Sequence, residues 1–231
     1  MTEVPGWSRR KSPAPEVLEG RYVRLEPIAA AHAEPLFEAL CGPEDAPLWT
    51  YRPVEAPTDV AAMARDVAAL ASAADSVTFA IVPTGAEDDG RAAGMASYLR
   101  IDPGHGSIEV GSIIFGRRLQ RTRAATEAIH LMARHAFEDL GYRRLEWKCD
   151  SLNEPSRVAA ARLGFEHEGR FRQHLVIKGR NRDTDWFSIV DGEWPTVGEA
   201  QARWLDPENF DDEGRQRTAL SALTAEARER R

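Results

Sequence analysis

Between residues 107 and 141 the apolar residues of this chain change period twice over a short distance, and few folds accommodate that. "SIEVGSIIF", Ser107–Phe115, is apolar and β-branched and predicts a strand. In "AATEAIHLMARHAFEDLG", Ala125, Ala128, Ile129, Met132, Ala136 and Leu140 fall on one helical stripe, and Gly141 sits where a C-terminal cap belongs. The junction is "LQRTRAATEAI", with Gln120, Arg121, Thr122 and Arg123 in a row. A tight loop that opens a helix presents unpaired backbone amides and the positive end of the helix dipole, which together form an anion site, usually for phosphate. Thr126 and Glu127 suit the first turn, while Gln120, Arg121 and Arg123 add side-chain donors. A solvated basic turn accounts for the same local residues.

The period then switches back. "RLEWKCD", Arg144–Asp150, alternates Leu145, Trp147 and Cys149 with Glu146, Lys148 and Asp150. "NEPSRVAAARLGF" predicts a helix starting at Asn153, with Pro155 near its first position and Gly164 as its stop. Upstream, "RYVRLEP" predicts a strand, "AAHAEPLFEALCG" a short helix, and "DVAAMARDVAALASAA" a longer helix capped by Thr58. "VTFAIVP" and "AAGMASYLRI" predict two strands joined by the turn "TGAEDDGR". Downstream, "GRFRQHLVIKG" and "TDWFSIVDGEW" predict strands around a tight "GRNRD" connection. The sum is an α/β domain with a mixed sheet.

The 231 residues suffice for one large domain with a real core. A net charge of −7 argues against a dedicated nucleic-acid binder. Cys41 and Cys149 match no zinc or redox spacing. No apolar run has the length of a membrane span, and the first residues have no signal-peptide core, so a cytoplasmic protein without membrane partners is expected. Glu127 and His130 have Glu-x-x-His spacing but no second such pair, so no metal is expected.

"LQRTRAATEA" and "NEPSRVAAARLGF", correctly spaced across a β–α–β–α unit, resemble the GCN5-related N-acetyltransferases (GNAT), in the branch of the ribosomal-protein N-terminal acetyltransferases. Residues 120–125 match that family's Gln/Arg-x-x-Gly-x-Gly/Ala loop, with Arg123 in place of the usual glycine. The resemblance covers roughly residues 18–194. It implies a mixed, mostly antiparallel sheet flanked by helices, with a V-shaped splay between the fourth and fifth strands. It divides the chain into an extended arm (1–19), an acetyltransferase domain (20–195) and a helical or irregular extension (196–231).

For function, the resemblance implies an acetyl-CoA-dependent N-acetyltransferase that moves the acetyl group to a primary amine by direct attack. The cofactor would lie against Ile113, Ile114 and Phe115, the loop Gln120, Arg121, Thr122, Arg123, Ala124, Ala125 and Thr126, and Asn153, Ser156 and Arg162, with Arg157 within reach of a phosphate. Arg123 fits if its φ is helical, its guanidinium then adding a cation beside the phosphates. Glu109 is the best placed carboxylate for a general base acting through water, or else a rim glutamate paired to an arginine. Ser156 would protonate the departing thiolate and Asn153 hold the pantetheine amide, although an N-cap alone explains Asn153. Trp49, Tyr51, Arg52, Arg172, His174 and Trp186 would shape the acceptor pocket, for a small-molecule amine or a peptide N-terminus. A homodimer stays open. The alternative is a non-catalytic acyl-CoA-binding sensor or scaffold.

Overall fold

The computed structural model describes residues 3–85 and 90–230; part of the turn expected within 84–91 lies outside them. Eight strands, β1 (Leu18–Glu19), β2 (Val23–Pro27), β3 (Val77–Pro83), β4 (Gly94–Asp102), β5 (Ser107–Phe115), β6 (Arg144–Asp150), β7 (Glu166–Ile177) and β8 (Arg180–Val190), form one sheet in the order β1-β2-β3-β4-β5-β6-β8-β7. Six α-helices accompany them: α1 (Ala33–Leu40), α2 (Val60–Ala71), α3 (Arg123–Arg134), α4 (Glu154–Arg162), α5 (Trp194–Leu205) and α6 (Leu220–Glu229). The two-residue β1 precedes the strands foreseen from sequence, so the expected fourth and fifth strands are β5 and β6. None of the helices among the described residues is long and apolar enough to cross a membrane.

Every neighbouring pair is antiparallel except β5 and β6, which run parallel. Their pairing covers only Ser107↔Arg144, Ile108↔Leu145 and Glu109↔Glu146. Beyond Glu109 the strands part, and this is the expected V-shaped splay. A β-bulge on β5 accompanies the parting: Gly111 lies opposite Ser97 and Ile114 opposite Met95, with Ser112 at φ 50°. A bulge inserts one residue and bends its strand. It therefore reverses the face to which later side chains point, and Ile108 and Val110 join one core while Ile114 joins the other.

The sheet thus has two packed faces. Leu25, Phe79, Ile81, Tyr98, Ile108, Val110, Leu145 and Trp147 pack in one core with α3, α5 and α6. Ala80, Val82, Met95 and Ile114 pack in the second with α1, α2 and Trp49. Because alternate residues take opposite faces, Glu109 on β5, Lys148 on β6, and Arg182, Thr184 and Trp186 on β8 point to the second face.

Several local expectations shift. Asp59, not Thr58, caps α2, accepting from Ala62 N at 2.7 Å. The β7–β8 turn is the two-residue Lys178–Gly179, both with positive φ, so most of "GRNRD" is strand. The helical extension beyond 196 packs into the first core through Trp204, Leu205, Leu220 and Leu223. α3 opens at Arg123, which leaves Thr126 and Glu127 inside the helix.

Glu127 is buried and accepts three backbone N–H groups at the start of β2, from Arg21 (3.0 Å), Tyr22 (2.6 Å) and Val23 (3.0 Å). A side chain at Gly20 would collide with that carboxylate. Replacing Glu127 with alanine strands three donors, each costing about 1–3 kcal/mol when buried. Glu127→Ala is therefore expected to lower unfolding stability by about 3 kcal/mol or more, and Glu127→Gln, which keeps one acceptor, by less; urea midpoints at constant slope check both.

Candidate active site

Where β5 and β6 part, a cleft of about 1520 Å³ passes between them from one face of the sheet to the other. Its wall on the first face is the start of α3. Thr122 caps the helix, accepting from Ala125 N at 3.1 Å while donating to Leu119 O at 2.7 Å. Arg121 just before it takes φ 62°, which tightens the turn. Gln120 is tied down, its Nε2 donating to Phe115 O at 2.9 Å.

Arg123 is the first residue of α3 and its backbone φ is negative, so glycine is not required there. Its guanidinium is sandwiched between the rings of Tyr22 (4.7 Å) and Phe210 (4.6 Å). Stacking on both faces leaves the in-plane N–H donors available to an anion. Arg162 lies over Trp204 at 4.7 Å and donates to Thr126 Oγ1 at 3.2 Å. Trp204 meets Phe210 edge-on at 5.2 Å and donates to Gln216 Oε1 at 2.7 Å. The residues after α5 thus form an aromatic shelf that fixes two guanidiniums at the cleft.

The second-face wall carries the titratable groups. Glu109 is 6% exposed and lies 2.5 Å from Lys148 Nζ and 3.1 Å from Arg100 Nε. The Lys148 contact is a close ion pair without the alignment of a hydrogen bond. Lys148 also stands 4.2 Å from the ring of Trp186. Burial raises the Glu109 carboxyl above its ordinary value, against the opposing pull of Lys148 and Arg100. Burial equally lowers the Lys148 ammonium, against the pull of Glu109. Both partners are thus pushed toward their neutral forms, as low dielectric demands of a buried pair. At the open end of the V, Asn153 caps α4, accepting from Ser156 N at 3.2 Å. Ser156 Oγ accepts from Trp147 Nε1 at 3.0 Å, which leaves its hydroxyl as a donor, with the Cys149 thiol as a neighbour within hydrogen-bond reach.

Of the residues singled out from sequence, the cleft is lined by Ile113, Ile114 and Phe115 on β5, by Gln120, Arg121, Thr122, Arg123, Ala125 and Thr126, by Asn153, Ser156 and Arg162, and by Glu109, Tyr51, Arg52 and His174. Ala124 is buried beneath the helix and does not line it. Trp49 is a core residue whose Nε1 donates to Leu40 O at 2.8 Å. Arg172 lines a separate groove with Gln173, Asn181 and Asp183. Trp186 stands behind Lys148 and Phe171 rather than on the cleft wall. Arg157 pairs with the fully buried Asp185 at 3.0 Å. Lys148, Arg100, Arg182, Trp204 and Phe210 were not foreseen. For Lys148 the alternation of "RLEWKCD" held a signal, because it places the lysine on the face that Glu109 shares; for Trp204 and Phe210 the sequence held none. Among the described residues no group of three His, Cys, Asp or Glu side chains could hold a metal ion.

Residues 23–166 match the family model described as the acetyltransferase (GNAT) domain. A crystal structure of a GCN5-related N-acetyltransferase from Brucella melitensis is 42% identical and superposes with a TM-score of 0.92, covering 96% of this chain and 100% of that one. A probable GNAT-family acetyltransferase from Chromobacterium violaceum ATCC 12472 is 37% identical, with a TM-score of 0.77 and coverage of 84% and 96%. YdaF of Bacillus subtilis (strain 168), provisionally named a ribosomal N-acetyltransferase, is 30% identical over 106 residues, 46% of this chain and 57% of that protein. The chain spans a little over half the length of the curated relatives it matches. By the domain match and the likeness to the Brucella structure, the chain belongs to the GNAT family of acetyltransferases.

Proposed function

We propose that this protein is an acetyl-CoA-dependent N-acetyltransferase that moves the acetyl group directly to a primary amine. The observation that carries this is the through-sheet cleft, with carboxylate-free arginines on one face and the buried Glu109–Lys148 pair on the other. GNAT proteins use acetyl-CoA as co-substrate, and its phosphates suit the Arg121, Arg123 and Arg162 side. Its pantetheine arm would run along the edge of β5 that β6 leaves unpaired, at Ile113, Ile114 and Phe115.

Attack requires a neutral amine, a donor for the oxyanion and a proton for the thiolate. In this reading the amine nitrogen bonds to the thioester carbon, and Glu109, directly or through water, takes the proton released. A backbone N–H beside the Ser112 bulge steadies the oxyanion. The C–S bond then breaks and Ser156 relays a proton to the sulfur, its hydroxyl regaining one from solvent water. Burial raises the Glu109 carboxyl while Lys148 and Arg100 oppose the rise, and a raised carboxylate is the stronger proton acceptor. Asn153 fixes Ser156 through the α4 cap. The acceptor is a small amine or a peptide N-terminus; the name carried by YdaF favours the latter. A CoA-binding protein without catalysis is the competing reading; it predicts acetyl-CoA binding with no turnover of any amine, whereas intact turnover in Glu109→Gln would remove Glu109 as the base and leave the enzyme.

Two measurements test the chemistry. Glu109→Gln should lower kcat by about 10²–10⁴ with acetyl-CoA affinity nearly intact, which separates base loss from binding loss. Because Lys148 lowers the raised pKa of Glu109, Lys148→Met should move the acid limb of the pH–rate profile to higher pH; a limb that stays put or moves down excludes Glu109 as the titrating base. For the cofactor, Arg123→Ala should weaken acetyl-CoA by about 1.5–3 kcal/mol, the worth of a hydrogen bond to a charged group. That loss should shrink as salt rises. Phe210→Ala should reproduce part of it, about 1 kcal/mol, by releasing one face of the guanidinium. Titration calorimetry reads both, and unchanged affinity in Arg123→Gly would show that the side chain contributes nothing.

A further inference from the structure

The acetyl-CoA reading uses the cations on the first face of the sheet and leaves two on the second unexplained. Arg52 and Arg182 both line the cleft. The Nε of each is buried without a hydrogen-bond partner, and among the described residues neither has a carboxylate within salt-bridge reach. Burial alone pulls the Arg52 guanidinium below its ordinary value. Arg52 is half-buried with only the ring of Trp49, 6.0 Å away, against its guanidinium; a partly desolvated cation without a carboxylate is costly, and this one sits in a chain of net charge −7.

The carboxylates on the same walls are engaged or remote. Glu109 is held by Lys148 and Arg100, Asp150 accepts from Leu152 N at 2.9 Å, and Asp75 is at the exposed rim. The two arginines are also held in place. Arg52 N donates to Trp49 O at 3.1 Å, Tyr51 Oη donates to Leu152 O at 2.9 Å, and Lys178 Nζ donates to Trp49 O at 3.0 Å, so the loop before α2 is strapped to the far side of the cleft. Arg182 stands on β8 next but one to Thr184, which bonds His174 Nδ1 at 3.0 Å.

We propose that Arg52 and Arg182 form an anion subsite on the acceptor side, so that the acceptor is an amine bearing a carboxylate, its ammonium end toward Glu109 and its carboxylate toward the two guanidiniums. The inference rests on the acetyltransferase reading and adds the substrate class. Bidentate arginine contacts suit a carboxylate, while a polyamine or an aminoglycoside would bring more positive charge to a wall that already carries two cations.

The test is acetyl-CoA consumption with matched amines that differ in the carboxylate: amino acids against their amides, peptides with glutamate against glutamine after the N-terminal residue, and spermidine as the cationic control. Free amino acids and peptides are separate arms, which tell the source of the carboxylate. The carboxylate member of a pair should be favoured by about tenfold or more in kcat/KM. Arg52→Gln and Arg182→Gln should raise KM for the carboxylate amine by about 10- to 100-fold, far more than for its amide, with the effect on the acceptor KM and not on that of acetyl-CoA. Arg52→Lys should recover part of the loss, and melting curves check that each variant folds. Equal or faster use of amides or spermidine overturns the proposal. So does an equal effect of the variants on both members of a pair, or no turnover of any carboxylate amine by protein that binds acetyl-CoA. Failure of the unaltered protein to bind acetyl-CoA would instead remove the acetyltransferase reading itself.

Discussion

Backbone N–H and C=O groups inside a sheet are left unpaired only at a free-energy cost, and β5 leaves its inner edge unpaired after three residue pairs with β6. What holds the strands apart is built on both sides. The bulge at Ser112 bends β5, while β6 stays straight because β8 pairs with it along its whole length. The helices that follow β5 and β6, α3 and α4, then begin at the mouth of the gap. Cleft, helix N-termini and exposed strand edge are consequences of one parting.

The parting also sorts charge by face. The arginines suited to phosphate, Arg121, Arg123 and Arg162, gather by α3 and the aromatic shelf. Glu109 and Lys148 lie on the other face, where side-chain alternation puts them. The arginine-lined wall on one side and the buried Glu109–Lys148 pair on the other are thereby kept apart by the thickness of the sheet, and low dielectric strengthens each local interaction without mixing them. The buried pair has its own tension, since burial pushes both partners toward neutrality while their attraction opposes it.

Arg123 shows how a departure from a family pattern is absorbed. Glycine at that position would admit a close approach of the backbone. Here the helix begins one residue after the Thr122 cap, φ is negative, and the side chain is led away between Tyr22 and Phe210. The cost of holding a long side chain is met by two ring faces, one at the start of the sheet and one after α5. Glu127 ties the same start of β2 to α3 through three backbone donors, so the start of α3 and β2 are fixed to each other.

Much of the fold was legible in the sequence because periodicity reports burial directly. The alternation of "RLEWKCD" gave β6 with Leu145, Trp147 and Cys149 inward, and the stripe from Ala125 to Leu140 gave α3 together with the π-helical segment His135–Asp139 that continues it. Asn153 and Gly164 bounded α4 through local cap chemistry. Thr58, one residue from the true cap at Asp59, shows the limit of such signals, since either side chain can accept the same N–H. Tertiary structure alone decided contacts between distant segments: Trp204 and Phe210 against Arg162 and Arg123, and Trp49 in the core instead of the cleft. It also decided which face Ile114 takes after the bulge. Local backbone preference writes strands, caps and helices into neighbouring residues; which charge is buried beside which partner depends on segments tens of residues or more apart, and no short-range pattern carries that information.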